Sequence, residues 1–262
     1  MTKTLIFDCD GTLADTEPFG HLPAFNQMFE EFCLPVKWSA QEYGAHLAIN
    51  GGKERLASLL TPDFVAQLGL PDDETEQLAE VERWHRRKTQ IYAEILASGQ
   101  IAPRPGVLRL LTEAVADGWQ LAVASTSAPD AVGAVLRHSV GPELADRFAL
   151  VLAGDSVDRK KPFPDIYHLA IDELRLDPRQ TLVIEDSRYG LLAATQAGLR
   201  CLITINRYTE MEDFREALMV LSSLGDPGGE ALQVLASRSA VDPGTYLTAD
   251  HLNAFLAEAY PF

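Results

Sequence analysis

The chain has 262 residues, 47% apolar and 23% charged, enough to bury a sizeable core as one large domain or two smaller ones. A formal charge of −16 sets its surface against nucleic acid and anionic membranes, and no apolar run approaches the roughly 18 residues of a membrane-spanning helix. Its three cysteines, Cys9, Cys33 and Cys201, are scattered, which argues against a disulfide framework or a zinc site.

The first element is Thr4–Phe7 (TLIF), a short buried strand whose exit is marked by Gly11 and Thr12. One lysine followed by Asp8 is the wrong pattern for a secretory signal, so a cytoplasmic protein, acting as a monomer, is expected. From about Pro18 to Ser98 no strand-like run occurs, and the spacing is helical. The longest helix begins near PDDETEQL, with acidic residues in its first turn as the helix dipole favours. It continues through Leu78, Val81, Trp84, Ile91, Tyr92 and Ile95 and ends at SGQ before Ile101. After Pro105 the pattern changes. A helix over Gly106–Asp117 leads into the strand Gln120–Ala124, and a helix follows from about Pro129. Then come the apolar run FALVLAG, a helix near Asp165–Leu174, the strand Thr181–Ile184, a helix from Ser187 to Ala197, and the strand Arg200–Thr204. In the tail, GDPGGE reads as a turn and YLTADHLNAFLAEA as a helix capped by Thr248 or Asp250.

Strands alternating with helices through short turns build a parallel sheet covered on both faces. The fold expected is α/β, a doubly wound, Rossmann-like parallel-sheet core (residues 1–17 and 99–262) with an inserted all-helical cap domain (18–98). In such sheets ligands bind beyond the carboxyl ends of the strands. The residues just past those ends are Asp8 and Asp10, Ser125 and Thr126, Lys160 and Lys161, and Glu185 and Asp186.

Carboxylates two residues apart repel each other unless positive charge sits between them. Hard oxygen donors without His or Cys suit Mg²⁺. Such an ion, with Lys161, would attract a phosphate whose remaining oxygens meet Ser125 and backbone N–H groups. Asp8 can then attack phosphorus and form an aspartyl-phosphate, with Asp10 as general acid and base. Cys9, between them, is expected to point into the core. Glu185-Asp186 also suits an N-cap pair before Ser187.

DCDGTLADTE at Asp8–Glu17 resembles motif I (DxDGTLxDTE) of the haloacid-dehalogenase-like phosphohydrolases. Ser125 matches their motif II, Lys161 in KKPFPD motif III, and Glu185-Asp186 in VIEDSRYG motif IV, in the family's order. A cap between motifs I and II is similar to the subfamily of β-phosphoglucomutase and small sugar phosphatases. The resemblance implies that Asp8, the carbonyl of Asp10 and Asp186 bind Mg²⁺, with Glu185 nearby, and that Ser125, Thr126 and Lys161 bind phosphate.

Within the cap, NGGKERL at Asn50–Leu56, HRRK at His85–Lys88 and RPGV at Arg104–Val107 resemble the CbbY-type phosphatases. That group removes a phosphate from xylulose 1,5-bisphosphate, an inhibitor of the CO2-fixing enzyme of the Calvin cycle. The resemblance implies substrate contacts from Glu17, His21, Gly51, Gly52, Lys53, Glu54, Arg55, His85, Arg86, Lys88 and Ser127. A bisphosphate needs a second anion site, and Lys53, Arg55, Arg86 and Lys88 can supply it on an otherwise acidic protein. Arg87 is expected to face water. Gly20 reads as an extra residue between Glu17 and His21 and, with Pro23, predicts a kinked entry to the first cap helix. The alternatives to a xylulose 1,5-bisphosphate phosphatase are a β-phosphoglucomutase-like phosphomutase and a phosphatase for another small phosphorylated metabolite.

Overall fold

The computed structural model describes residues 2–49 and 51–259; Asn50 of the NGGKERL stretch lies outside them. The chain forms two compact units, one from Met1–Asp15 with Ile101–Phe262, the other from Thr16–Gln100.

The first unit is built on a seven-stranded sheet: β1 (Thr4–Phe7), β2 (Gln120–Ala124), β3 (Phe148–Leu152), β4 (Thr181–Glu185), β5 (Arg200–Thr204), β6 (Met219–Leu221) and β7 (Val234–Ser237). The spatial order is β3-β2-β1-β4-β5-β6-β7, with every neighbouring pair parallel except β6 and β7. β1 is wholly apolar but for Thr4, and all four of its residues are buried. That composition fits a central strand covered on both faces. The register pairs Phe7 with Val123 on one side and Ile184 on the other, so Asp8 emerges level with Ala124 and Glu185.

The helices of this unit are α6 (Val107–Ala116), α7 (Pro129–Val135), α8 (Pro142–Ala145), α9 (Asp165–Leu174), α10 (Arg188–Gln196) and α11 (Ala249–Ala257); α1 to α5 belong to the second unit. Ile166, Tyr167 and Ala170 of α9 and Leu191 and Ala194 of α10 pack on Ile6, Ala122, Val183 and Cys201 of the sheet. α6 and α11 lie together, α6 against β2 and α11 against β4. Three expectations need correction here. FALVLAG reads as a buried run, but β3 is an edge strand whose residues alternate between covered and exposed, with Val151 43% exposed. The N-cap of α10 is Ser187, whose side chain accepts from the Gly190 N–H, rather than Glu185-Asp186, which the strand retains for its own end. The tail is not only a turn and a helix: it adds β6 and the antiparallel edge β7. Thr248 caps α11 in a box closed by His251.

Arg104 ties this unit together. It is buried, and its guanidinium donates to the carbonyls of Gly11, Thr204, Ile205 and Ser222, with Nε 3.2 Å from Asp15 Oδ1. Its backbone N–H donates to Leu13 O at 3.0 Å. Five donors in a rigid fork suit such a cluster of carbonyls, which one ammonium could not serve.

The second unit consists of α1 (Leu22–Glu31), α2 (Ala40–His46), α3 (Gly52–Ala57), α4 (Pro62–Leu68) and α5 (Glu74–Ala97). Its core is aromatic: Phe25 and Phe29 of α1 meet Trp38, and Phe25 and Trp38 meet Tyr43. Asp73 caps α5 by accepting from the Glu76 N–H, as the acidic run suggests. Arg87 of α5 does not simply face water. It makes a two-pronged contact with Glu31 of α1, at 2.6 and 2.9 Å, and reaches Glu94 at 3.0 Å. Gly20 lies in a π-helical turn, Glu17–His21, in which the Leu22 N–H donates to Glu17 O. The turn runs on into α1, where Pro23 is the second residue.

Candidate active site

The ends of β1 and β4 and the loop before α9 bring three charged side chains together. Lys161 Nζ donates to Asp8 Oδ1 at 2.7 Å, to Glu185 Oε1 at 2.5 Å and to the carbonyl of Ala124, the last residue of β2, at 2.8 Å. These contacts occupy all three donors of an ammonium. Tyr167 of α9 donates to the same Glu185 oxygen at 2.8 Å, and the Asp186 N–H donates to the other at 3.2 Å. Glu185 is wholly buried, and its carboxylate lies so close to α10 that a Cβ at Gly190 would stand 1.9–2.0 Å from its atoms.

Asp8, Glu185 and Asp186 are all buried, and each offers a carboxylate oxygen within 4.8 Å of the others. Burial pushes the Asp8 carboxyl up to about 8, with Glu185 adding to the effect and Lys161 opposing it. Asp186 is held well above the usual carboxylate range by burial and by Asp8 and Glu185. Burial disfavours the charge of Lys161, but Asp8 and Glu185 outweigh it, and its ammonium holds its proton more firmly than a solvated lysine does. Shifts in this direction show that Lys161 does not offset the burial and mutual repulsion of the three carboxylates, and an all-oxygen donor set suits a hard divalent cation. The residues present therefore fit a metal. Among the three, Glu185 is the poorest ligand, since Lys161, Tyr167, the Asp186 N–H and the Ser187 hydroxyl already surround it.

Asp10 lies two residues on, half-buried, and its Oδ2 accepts a hydrogen bond from the Ser127 hydroxyl. Ser125 is buried at the exit of β2, and its Oγ accepts from the Ser127 N–H at 3.2 Å; Thr126 is exposed. The structure thus gathers Asp8, Asp10, Ser125, Ser127, Lys161, Glu185 and Asp186 at one edge of the sheet. Cys9 points into the core.

Within the helical unit the expected substrate residues form three groups. Tyr43 donates its hydroxyl hydrogen to Glu17 and accepts from Arg55 Nη1 at 3.2 Å, while Arg55 Nε donates to Ile49 O. His21 stacks on Tyr92 with centroids 4.0 Å apart, and its Nδ1 lies 2.7 Å from Lys88 Nζ. Lys88 is buried over the rings of Phe25 and Tyr92. His85 packs on Gly52, where a Cβ would come within 2.8 Å of Nε2. Burial, with help from Lys88 and Lys53, lowers its pKa to about 4, so the ring is neutral at physiological pH. Gly51 takes a positive φ of 99° against Glu54, whose carboxylate a Cβ would strike. Lys53 and Arg86 are not gathered in: both side chains are more than half exposed and share Glu82, at 3.4 and 3.9 Å.

A family model for haloacid dehalogenase-like hydrolases matches residues 2–198. The chain belongs to that family. Among its members, the CbbY-like protein of Arabidopsis thaliana is 40% identical over 88% of this chain and 72% of its own length. Protein CbbY of Cereibacter sphaeroides is 40% identical over 88% of this chain and 96% of its own. The crystal structure of a mutant CbbY from Rhodobacter sphaeroides in complex with xylulose 1,5-bisphosphate superposes with a TM-score of 0.71, at 39% identity, covering 85% of this chain and 95% of that one. This haloacid dehalogenase-like hydrolase is therefore an enzyme of the phosphatase type with CbbY proteins among its relatives, and its doubly wound core is the family's. No helix among the described residues is long and apolar enough to cross a membrane.

Several residues of the site carry no obvious signal. Tyr167 lies a few residues into a helix and is found only through its hydroxyl. Tyr43 and Tyr92 read as core aromatics. Asn206 was within reach, because it lies two residues past the predicted strand Arg200–Thr204, and inspecting every strand exit would have included it. Its Nδ2 donates to Asp186 Oδ2 at 2.7 Å.

Proposed function

We propose that this hydrolase is a Mg²⁺-dependent sugar-phosphate phosphatase whose substrate is xylulose 1,5-bisphosphate. The observation that carries the reading is the buried set of Asp8, Lys161 and Asp186 at the strand ends, together with kinship to CbbY proteins. Asp8 and Asp186, with the carbonyl of Asp10, would hold Mg²⁺, which when bound supplies charge neutralisation beside the phosphate. Lys161 holds Asp8 by Oδ1 and keeps a fixed positive charge there. The Ser125 and Thr126 hydroxyls and the Thr126 N–H bind the phosphoryl oxygens, the Ser125 N–H being held by Leu152 O.

The Asp8 carboxylate attacks phosphorus as the bond to the sugar oxygen breaks, and Asp10 gives that oxygen its proton. The resulting aspartyl-phosphate is opened by a water that Asp10 deprotonates, which returns Asp8 and releases inorganic phosphate. Ser127 holds the Asp10 carboxyl in place through Oδ2. Selection of the sugar belongs to the helical unit. Glu17, Gly51–Arg55, His21, His85, Arg86 and Lys88 are the proposed contacts, the cationic ones serving the second phosphate.

The test is a phosphate-release screen across pentose and hexose mono- and bisphosphates, with and without Mg²⁺, on the wild type and Asp8→Asn. Release from xylulose 1,5-bisphosphate that needs Mg²⁺ and vanishes in the variant is expected. Isomerisation of β-glucose 1-phosphate without phosphate release would instead make the enzyme a mutase. Turnover that persists in Asp8→Asn would end the nucleophile assignment.

A further inference from the structure

We infer that Asn206, on the loop after β5, is a positioning residue that fixes the Asp186 carboxylate for the cation. The inference rests on the cation site proposed above.

Asn206 follows the end of β5, where the chain leaves the sheet edge that holds the acidic cluster. Its side chain is held at both ends. The Tyr208 N–H donates to Oδ1 at 2.8 Å, which identifies the other end as the amide nitrogen, and Nδ2 donates to Asp186 Oδ2 at 2.7 Å. The loop is closed independently: the Asn206 N–H donates to Thr209 Oγ1 at 3.1 Å, and the carbonyl of Asn206 accepts from the N–H groups of Thr209 and Glu210. The amide therefore cannot turn away without giving up a backbone partner.

Gly11, in the turn just after Asp10, closes the third side. Its φ is +79°, and a Cβ there would lie 2.2 Å from Asp186 Oδ2 and 2.8 Å from Asn206 Nδ2. Asp186 Oδ2 is thus enclosed between the Gly11 backbone and a neutral donor. That leaves Oδ1 as the oxygen for a cation. A neutral amide suits this role because it orients the carboxylate without competing for its charge, as Lys161 does for Asp8. Outer partners of this kind raise metal affinity by sparing the ligand the work of finding its geometry, and their loss typically costs about 10–100-fold.

The experiment uses the full chain and Mn²⁺ alone, with free Mn²⁺ read by electron paramagnetic resonance. Asn206→Ala is compared with Thr209→Ala, which loosens the same loop but leaves the amide donor, and with Asp186→Asn, which removes the ligand. Asn206→Ala should weaken Mn²⁺ binding by roughly 10–100-fold and raise the Mg²⁺ concentration for half-maximal activity in proportion, with kcat at saturating Mg²⁺ changed far less. Thr209→Ala should bind Mn²⁺ within about twofold of wild type, a margin well below the loss expected when a ligand's outer partner is removed. Wild-type binding in Asn206→Ala while Asp186→Asn loses the ion would overturn the inference. An equal loss in Thr209→Ala would overturn it too, since the loop alone would then explain the effect. Wild-type Mn²⁺ binding in Asp186→Asn would instead remove the cation site itself, and the inference with it.

Discussion

Replacing Gly190 by alanine sets two effects against each other. Gly190 lies in α10 with no positive φ, so helix propensity alone favours alanine by about 1 kcal/mol. The structure opposes it: the new Cβ would stand 1.9 Å from the Glu185 carboxyl carbon and 2.0 Å from both oxygens. Reaching the 3.4 Å of ordinary contact requires a retreat of roughly 1.5 Å in an interior packed as densely as an organic crystal. Glu185 cannot retreat and keep Lys161 at 2.5 Å and Tyr167 at 2.8 Å. Overpacking costs about 1–3 kcal/mol, and each hydrogen bond lost from a charged group about 1.5–3 kcal/mol. These losses exceed the propensity gain, so a net destabilisation of about 2 kcal/mol or more follows, several degrees in the thermal midpoint for a unit of this size. Lys161 moves with Glu185, and a misplacement of about 1 Å near the chemistry can cost on the order of 100-fold in turnover. The assay pairs phosphate release in Mg²⁺ with differential scanning fluorimetry. Gly133→Ala in α7 is the control, since its Cβ meets only the tip of Arg137, at 3.2 Å, and it should be neutral or slightly stabilising. Wild-type activity and midpoint in Gly190→Ala would refute the reasoning.

Asp10→Asn should lower kcat by about 10²–10⁴-fold, the usual worth of positioned proton transfer; a rate near wild type in the phosphate-release assay would contradict its role. In chelator-treated protein, stability should fall as pH rises from about 4 towards 8. There the unfolded chain has lost the proton of Asp8 while the folded state keeps it until about 8, a slope of at most about 1.4 kcal/mol per pH unit. Thermal midpoints across that range should show the decline, and Asp8→Asn should flatten it; an unchanged slope in the variant would place the effect elsewhere. Lys53→Ala should raise KM for bisphosphates more than for monophosphates, and equal losses would take Lys53 out of the second-phosphate role. That outcome has a structural rationale, because Lys53 is exposed and, among the described residues, is held by Glu82 alone.

The strand exits were legible because parallel strands buried on both faces read as short apolar runs, and the register then delivers Asp8, Ser125 and Asp186 to one edge. α5 and α9 were legible from spacing and from the acidic residues at their starts. What the sequence concealed depends on contacts between distant segments. Glu185 is written beside Asp186 and shares its charge, yet one is wrapped by Lys161, Tyr167 and α10 while the other turns to Asn206. Charge type alone does not separate them. β3 carries the same apolar letters as a central strand, and only the sheet order shows that it is an edge. The roles of Arg86 and Arg87 were likewise hidden: a full helical turn faces every direction, and Glu31, which claims Arg87, lies 56 residues away.

The order of strands also bears on how the chain is made. β1 is synthesised before either of its two neighbours, which begin at Gln120 and Thr181. From Phe7 to Gln120 is 113 residues, roughly 6–23 s of translation at typical speeds. Over that interval the helical unit, one uninterrupted stretch, can already pack, since its contacts are local and cheap to close. β1 lacks both of its sheet neighbours over that interval. Asp8 leaves the ribosome before Lys161 and Glu185, and the buried cluster forms only when the later half of the molecule has followed it.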